Sequence, residues 1–400
     1  MPRLPFSLFR PRLLSGLTLA LLVAAALPAT SAPVRADACT LPNKPTTDIT
    51  LAPGCVRQGW ILIDQPGVTL DCKGGTLDNS GNKEAVVLIR APNVTVRNCT
   101  ILAGGRQGIM ISSAMQKGEK HALSHAAAYA LSPSNVTISN VTVRNAQHVG
   151  IYVSSYVRNT HLDRVTVDRS AGAGVYLDQS STGAVVENST FTGNGFGTAT
   201  KPRSGGSRRE AIAIDSSSRN IIRNNLFRGN GGGGIFLYKN CHEHAATAPN
   251  STVRWMPSEK NEISGNRFED EPTGVWIASR QSRNLTSAAC GDPSYAPGYY
   301  LDRAPDNIVR GNTFLRGNIG IRVEDDGSTL SKNTVTGTEK FCILVGTGPR
   351  SKVLNKPVVG TVLTGNRCIG VPANRAFVFT DGARPATAAR NQPADGVVLR

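Results

Sequence analysis

One phrase recurs along the chain and limits what it can fold into. It reads Asn93-Val94-Thr95-Val96-Arg97-Asn98-Cys99, then Asn135-Val136-Thr137-Ile138-Ser139-Asn140, then Asn220-Ile221-Ile222-Arg223-Asn224-Asn225. Asn261 to Phe268, Asn307 to Phe314, Ser328 to Val335 and Thr361 to Cys368 continue the series. Most copies lead to a second phrase, a glycine followed by alternating apolar and variable residues, as in Gly108-Ile-Met-Ile, Gly150-Ile-Tyr-Val, Gly174-Val-Tyr-Leu, Gly234-Ile-Phe-Leu, Gly274-Val-Trp-Ile and Gly320-Ile-Arg-Val. Alternation over short runs marks half-buried strands. Recurrence every 20–25 residues or so, with no helical pattern between copies, marks a solenoid whose strands stack directly and in parallel.

The expected fold is therefore all-β: a single-stranded right-handed parallel β-helix with loop insertions. Isoleucine, valine and leucine would line its interior. Asn98, Asn188, Asn225, Asn266, Asn312, Asn333 and Asn366 would share one turn, where asparagine tolerates left-handed backbone and stacked amides form a ladder. Residues 76–380 carry the coils. Residues 39–75 read as an N-terminal cap shielding the first strand edges, and 381–400, rich in Ala, Pro, Gly and Arg, as a loose tail. Insertions at about 114–134, 197–209, 241–260 and 281–306 interrupt the repeat.

The N-terminus bears on the compartment. Arg3, Arg10 and Arg12 precede the apolar run Leu19 to Leu27, followed by the small residues Ala29 to Ala32. This is the pattern of a cleaved signal peptide within residues 1–38, with cleavage near 32 or 38, and the run is too short for a membrane span. A periplasmic or secreted protein without stable membrane insertion, monomeric, is expected. Eight cysteines in an exported chain, none in a C-x-x-C arrangement, suggest disulfides over metal binding. The expected pairs are Cys39–Cys55, Cys72–Cys99, Cys241–Cys290 and Cys342–Cys368.

Charge narrows the partner. The 44 basic and 28 acidic residues give +16, a balance that concentrates polyanions near the surface. No nucleic-acid-binding motif is present, so an anionic polysaccharide suits the compartment better. Aligned on the glycine of the second phrase, the second following residue points outward: Met110, Tyr152, Tyr176, Ala213, Phe236, Trp276 and Arg322. The fourth gives Ser112, Ser154, Asp178, Asp215, Tyr238, Ala278 and Glu324. Rings stack on sugar faces and charges grip hydroxyls and carboxylates, so Tyr152, Tyr176, Asp178, Phe236, Trp276, Arg322, Glu324 and Arg283 are candidate substrate contacts. The alternative is that these aromatics pack beneath inserted loops.

β-Elimination of a uronate needs a group that neutralises the carboxylate, a base for the C5 proton and an acid for the leaving oxygen. Lys239 or Tyr238 would serve as base or acid, Arg280 as neutraliser and His242 as alternate base, with Asp215 positioning Lys239. Glu210 would hold a cation, calcium being possible, or orient Arg209. All of this requires Asp215, Tyr238, Lys239 and Arg280 to meet in one solvent-open groove.

With these residues the chain resembles the pectate-lyase-like β-helix superfamily over most of 76–380. Glu210-Ala-Ile-Ala-Ile-Asp215-Ser-Ser-Ser-Arg-Asn-Ile-Ile-Arg-Asn-Asn is similar to the active-site coil of the alginate lyase and chondroitinase B family. That resemblance implies a calcium-binding glutamate at Glu210. It implies a catalytic lysine where Asp215 stands and an arginine where Tyr238 stands, with Lys239 next to it. The Asp-Pro-His-Asp motif of the mannuronan C5-epimerases is missing, as are the polygalacturonase motifs apart from Asp325-Asp326. The expected function is an exported lyase of a uronate-containing polysaccharide. A C5-epimerase or glycoside hydrolase on the same substrates, or a non-catalytic polysaccharide-binding or assembly protein of the periplasm, are the alternatives.

Overall fold

A computed structural model describes residues 39–394, except 82–84, 104, 116, 242–253, 278–284, 286–289, 291 and 302; the expected signal peptide lies outside the described residues. The chain forms a right-handed parallel β-helix. Two long sheets are built almost wholly from parallel pairs, each strand bonded to its counterparts one coil before and after. The larger sheet contributes two walls, which fuse where the long strands Arg267–Ile277 and Thr313–Val323 run through both.

Alternation sends every second side chain into the lumen. Along one wall Val96, Ile138, Leu162, Val186, Ile222, Ile263 and Val309 stack in register and are fully buried. On another, Phe191, Phe227, Phe268 and Phe314 stack face to face with centroids 5.1, 4.7 and 4.6 Å apart. The glycine opening the second phrase is dictated by this packing. A Cβ at Gly150 would lie 2.4 Å from Val167 Cγ1 and 2.6 Å from the Gly174 carbonyl oxygen.

The amide ladder exists, one residue out of register from the expectation at its N-terminal end. Asn225, Asn266, Asn312, Asn333 and Asn366 are buried, and each Nδ2 donates to the next Oδ1 at 2.9–3.0 Å, ending on Asn391. The backbone N–H of each residue donates to the same oxygen. Ser189 occupies the preceding rung, its N–H bonded to Asn225 Oδ1. Asn98 and Asn188 sit instead on the left-handed residue before that position, at φ 56° and 53°, and bond outside the lumen to Asn140 and Asp163. Where two adjacent residues both suit a turn, sequence alignment assigns either to the rung.

Coil pairing also runs beyond the span that the phrases mark. Ile49–Thr50 already pairs with Thr69–Asp71, and Val56–Gln58 with Thr76–Asp78, so residues expected as a cap form a first coil. At the other end Arg384–Ala389 and Gln392–Ala394 add strands where a loose tail was expected. The first coil fills the lumen with Leu51, Ile61, Ile63 and Leu70 without the repeat phrase, whereas Arg384–Ala389 at the other end is exposed throughout.

All eight cysteines are paired, Cys39–Cys55, Cys72–Cys99, Cys241–Cys290 and Cys342–Cys368, as expected, which fits an oxidising, extracytoplasmic compartment. Among the described residues no helix is long and apolar enough to cross a membrane.

Asn312→Ala removes one rung and leaves the buried Asn266 backbone and side-chain donors without their acceptor. The variant should lose roughly 1–3 kcal/mol of stability for each donor left unpaired, measurable as a lower urea midpoint.

Candidate functional site

The outward column follows the expected register. Met110 pairs with Tyr152, Tyr152 with Tyr176, Tyr176 with Ala213, Ala213 with Phe236, Phe236 with Trp276 and Trp276 with Arg322. Its exposure does not. Ala173, Ala213, Phe236 and Tyr238 form a second buried apolar cluster on the outside of the coils, with Tyr176 and Trp276 packed against it. The small Ala213 leaves the space that the neighbouring rings fill. Tyr152, Tyr176, Trp276 and Arg322 remain half-buried. Arg322 lies 4.8 Å above the Trp276 ring and pairs with the buried Glu324.

The expected solvent-open groove is absent among the described residues, since Asp215, Tyr238 and Lys239 are all buried. Asp215 accepts from Tyr176 Oη at 2.6 Å, Ser216 Oγ at 2.9 Å and the Asn240 backbone and side chain at 3.1 and 2.9 Å. Arg254 Nη2 completes its shell at 3.1 Å and reaches Asp178 at 3.7 Å, while Asp178 also takes the Tyr152 hydroxyl at 2.6 Å. Burial, then the adjacent carboxylates, holds both tyrosines well above the usual phenol range. Asp215 does not position Lys239. The lysine donates to Asp292 and the Cys290 carbonyl of the inserted segment, where burial lowers its pKa against the opposing pull of Asp292. These acids are sealed because inserted segments supply their partners. Arg280, Arg283 and His242 lie outside the described residues.

Glu210 orients Arg209. Its carboxylate takes Arg209 Nε and Nη2 at 3.2 and 2.9 Å and the Tyr238 hydroxyl at 2.8 Å. Calcium needs six to eight oxygens. Glu210 is already neutralised, and no three acidic, histidine or cysteine side chains gather as a metal site among the described residues. The expected cation role therefore does not fit. Asp325 and Asp326 are both held by the buried Arg350, so they act as a structural anchor.

An open, basic rim lies at the other end of these strands. Val149 pairs with Gln107, which sets His148 beside Arg106 on consecutive coils. Gly172 follows on the next coil, its N–H bonded to the His148 carbonyl at 2.5 Å, with no room there for a Cβ. His148 is exposed at its edge. Desolvation of the ring, then the charges of Arg106, Arg203 and Arg209, lowers its pKa. Arg209, 27% exposed, extends to 6.0 Å from the Tyr176 ring. A groove of about 330 Å³, lined by Asn145, Gln147, Arg169, Ala171, Thr198 and Thr200 among others, adjoins this rim. Arg106 and His148 stand two places before the phrase glycines Gly108 and Gly150, outside the positions that the alternation after the glycine marks.

The family model for the right handed beta helix region matches residues 84–253 and 244–356. No curated protein matches the chain. Solved structures share its fold at low identity. The A-module of the Azotobacter vinelandii mannuronan C-5 epimerase AlgE6 is 15% identical, with 86% of this chain and 92% of that one covered and a TM-score of 0.52. The catalytic domain of a GH87 α-1,3-glucanase in complex with tetrasaccharides is 12% identical, with 86% and 64% covered and a TM-score of 0.51. PfbA, a surface adhesin of Streptococcus pneumoniae, is 14% identical, with 81% and 83% covered and a TM-score of 0.50.

Arg254→Ala would leave Asp178 and Asp215 buried beside one another without their shared cation. Breaking such a pair costs about 3–5 kcal/mol, and thermal unfolding should show a correspondingly lower midpoint.

Proposed function

The chain belongs to the right-handed β-helix family, and on that premise we propose that it is an exported enzyme cleaving a uronate-containing polysaccharide by β-elimination at the His148 rim. The observation that carries this reading is the exposed His148 set beside the exposed Arg106 on consecutive coils, with the charges of Arg203 and Arg209 close enough to lower its pKa. A general base must be unprotonated at working pH, and a neutral histidine meets that need. Arg106, Arg203 and Arg209 neutralise the uronate carboxylate and so acidify its C5 proton. Glu210 and Tyr238 fix Arg209 from below. The half-buried rings of Tyr152 and Tyr176, 5.7 Å apart, offer a floor for the sugar chain.

The chemistry balances with one titrating side chain. An imidazole nitrogen takes the C5 proton, and the electron pair forms the C4–C5 double bond. The C4–O bond breaks, and the leaving oxygen recovers the proton from the imidazolium. Asp215, Asp178 and Lys239 are positioning residues that hold the wall and its insertions together. A C5-epimerase would share the first step, after which water or a second acid would protonate C5 from the opposite face without cleavage.

Incubation with alginate, glucuronans, glycosaminoglycans and bacterial exopolysaccharides should raise the absorbance of unsaturated uronate for at least one of them. A change in uronate composition by NMR without that band identifies an epimerase instead, and new reducing ends without it identify a hydrolase. Silence in all three assays overturns the enzymatic reading and leaves a binding protein. His148→Gln should lower turnover about 10²–10⁴-fold. Because the imidazole pKa is lowered, the wild-type rate should rise with pH to a plateau whose midpoint lies below the ordinary histidine value of about 6.5.

A further inference from the structure

Beyond the far end of the strand Val149–Val153 from His148, three segments build an aromatic group that the elimination does not use. Tyr156 is 1% exposed and holds a left-handed backbone at φ 63°, a conformation that a bulky residue adopts only when its surroundings impose it. Its hydroxyl accepts from Trp255 Nε1 at 3.3 Å and lies 3.2 Å from His125 Nδ1. Tyr129 meets the Tyr156 ring edge-on at 5.0 Å, and Arg158 covers Tyr129 at 5.5 Å. The outer layer is His125, exposed, with its ring centroid 4.1 Å from that of Trp255.

Trp255 is 40% exposed. Tryptophan is highly buried on average, and Tyr129 and Tyr156 already pin the inserted helix His125–Ala130 to the coils. Its Nε1 bond and the His125 ring fix the indole's orientation while much of it faces solvent. A rigid aromatic surface of this kind matches the C–H face of a pyranose ring, as tyrosine and tryptophan do where one end is apolar and the other wet.

We propose that Trp255, backed by His125, is a stacking platform for a pyranose unit of the same polysaccharide. The inference rests on the uronate-polysaccharide reading above and adds a second contact. The strand Val149–Val153 that separates the two spans ~16 Å at ~3.3 Å per residue, so one chain must span several sugar units to touch both. The enzyme then favours long polymers over short oligosaccharides.

Affinity electrophoresis of the whole protein in gels containing alginate or hyaluronan reads binding separately from turnover. Trp255→Ala should weaken polymer retardation about tenfold, the scale of one lost aromatic contact, with Trp255→Phe retaining most of it. The absorbance assay reads the catalytic proposal by itself, so its failure leaves the electrophoretic result standing. If Trp255→Ala lowers the unfolding midpoint, His125→Ala supplies the same test, with weaker retardation expected. The platform is overturned if wild type is retarded by neither polymer, or if the folded variants migrate as wild type does.

Discussion

A buried amide has one acceptor oxygen and two donor hydrogens, and the rest of this fold depends on how the ladder uses them. Each rung's Oδ1 receives both the side-chain and the backbone N–H of the preceding rung, so side-chain stacking and main-chain register become one constraint. A one-residue slip would move a whole strand's apolar side chains from lumen to solvent and would also strand two donors in an apolar interior. The phenylalanine stack from Phe191 to Phe314 runs through the same coils as this lock.

Electrostatics then divides the outer wall in two. Where insertions cover it, the acids Asp178, Asp215 and Glu210 are each matched by tyrosine hydroxyls and an arginine. Buried charge survives only when paired and hydrogen-bonded, and these shells are well filled. Where the wall is open, His148 stands beside Arg106, with the charges of Arg203 and Arg209 close enough to act on it, and Arg106 and Arg203, unlike Arg209, are not committed to a buried acid. Burial thus neutralises one part of the surface and leaves the other basic, which is why the rim and not the carboxylate cluster carries the proposed chemistry.

Much of the architecture was legible in the sequence because a solenoid writes its geometry as repetition. The outward column from Met110 to Arg322 and the four disulfides emerged as read. The burial of Asp215, Tyr238 and Lys239 did not, for a physical reason. Their partners Arg254 and Asp292 lie in insertions with no periodicity, so alternation reveals which way a side chain points and not what covers it. The offset of Asn98 and Asn188 arose because asparagine suits both the left-handed turn and the buried rung. His148 stands before the phrase glycine, outside the positions that alternation marks.

Successive rungs of the ladder are separated by 36, 41, 46, 21, 33 and 25 residues from Ser189 to Asn391, yet each pair is joined by the same short bonds. Contour length per turn is therefore decoupled from axial rise. Extra residues leave through the corners, and lengthening a flexible loop costs only about 0.6 kcal/mol per doubling. Descendants of such a chain are free to lengthen, trim or exchange the segments that overhang the wall while the cylinder beneath keeps its pitch. Substrate preference can then drift without refolding the scaffold that presents it.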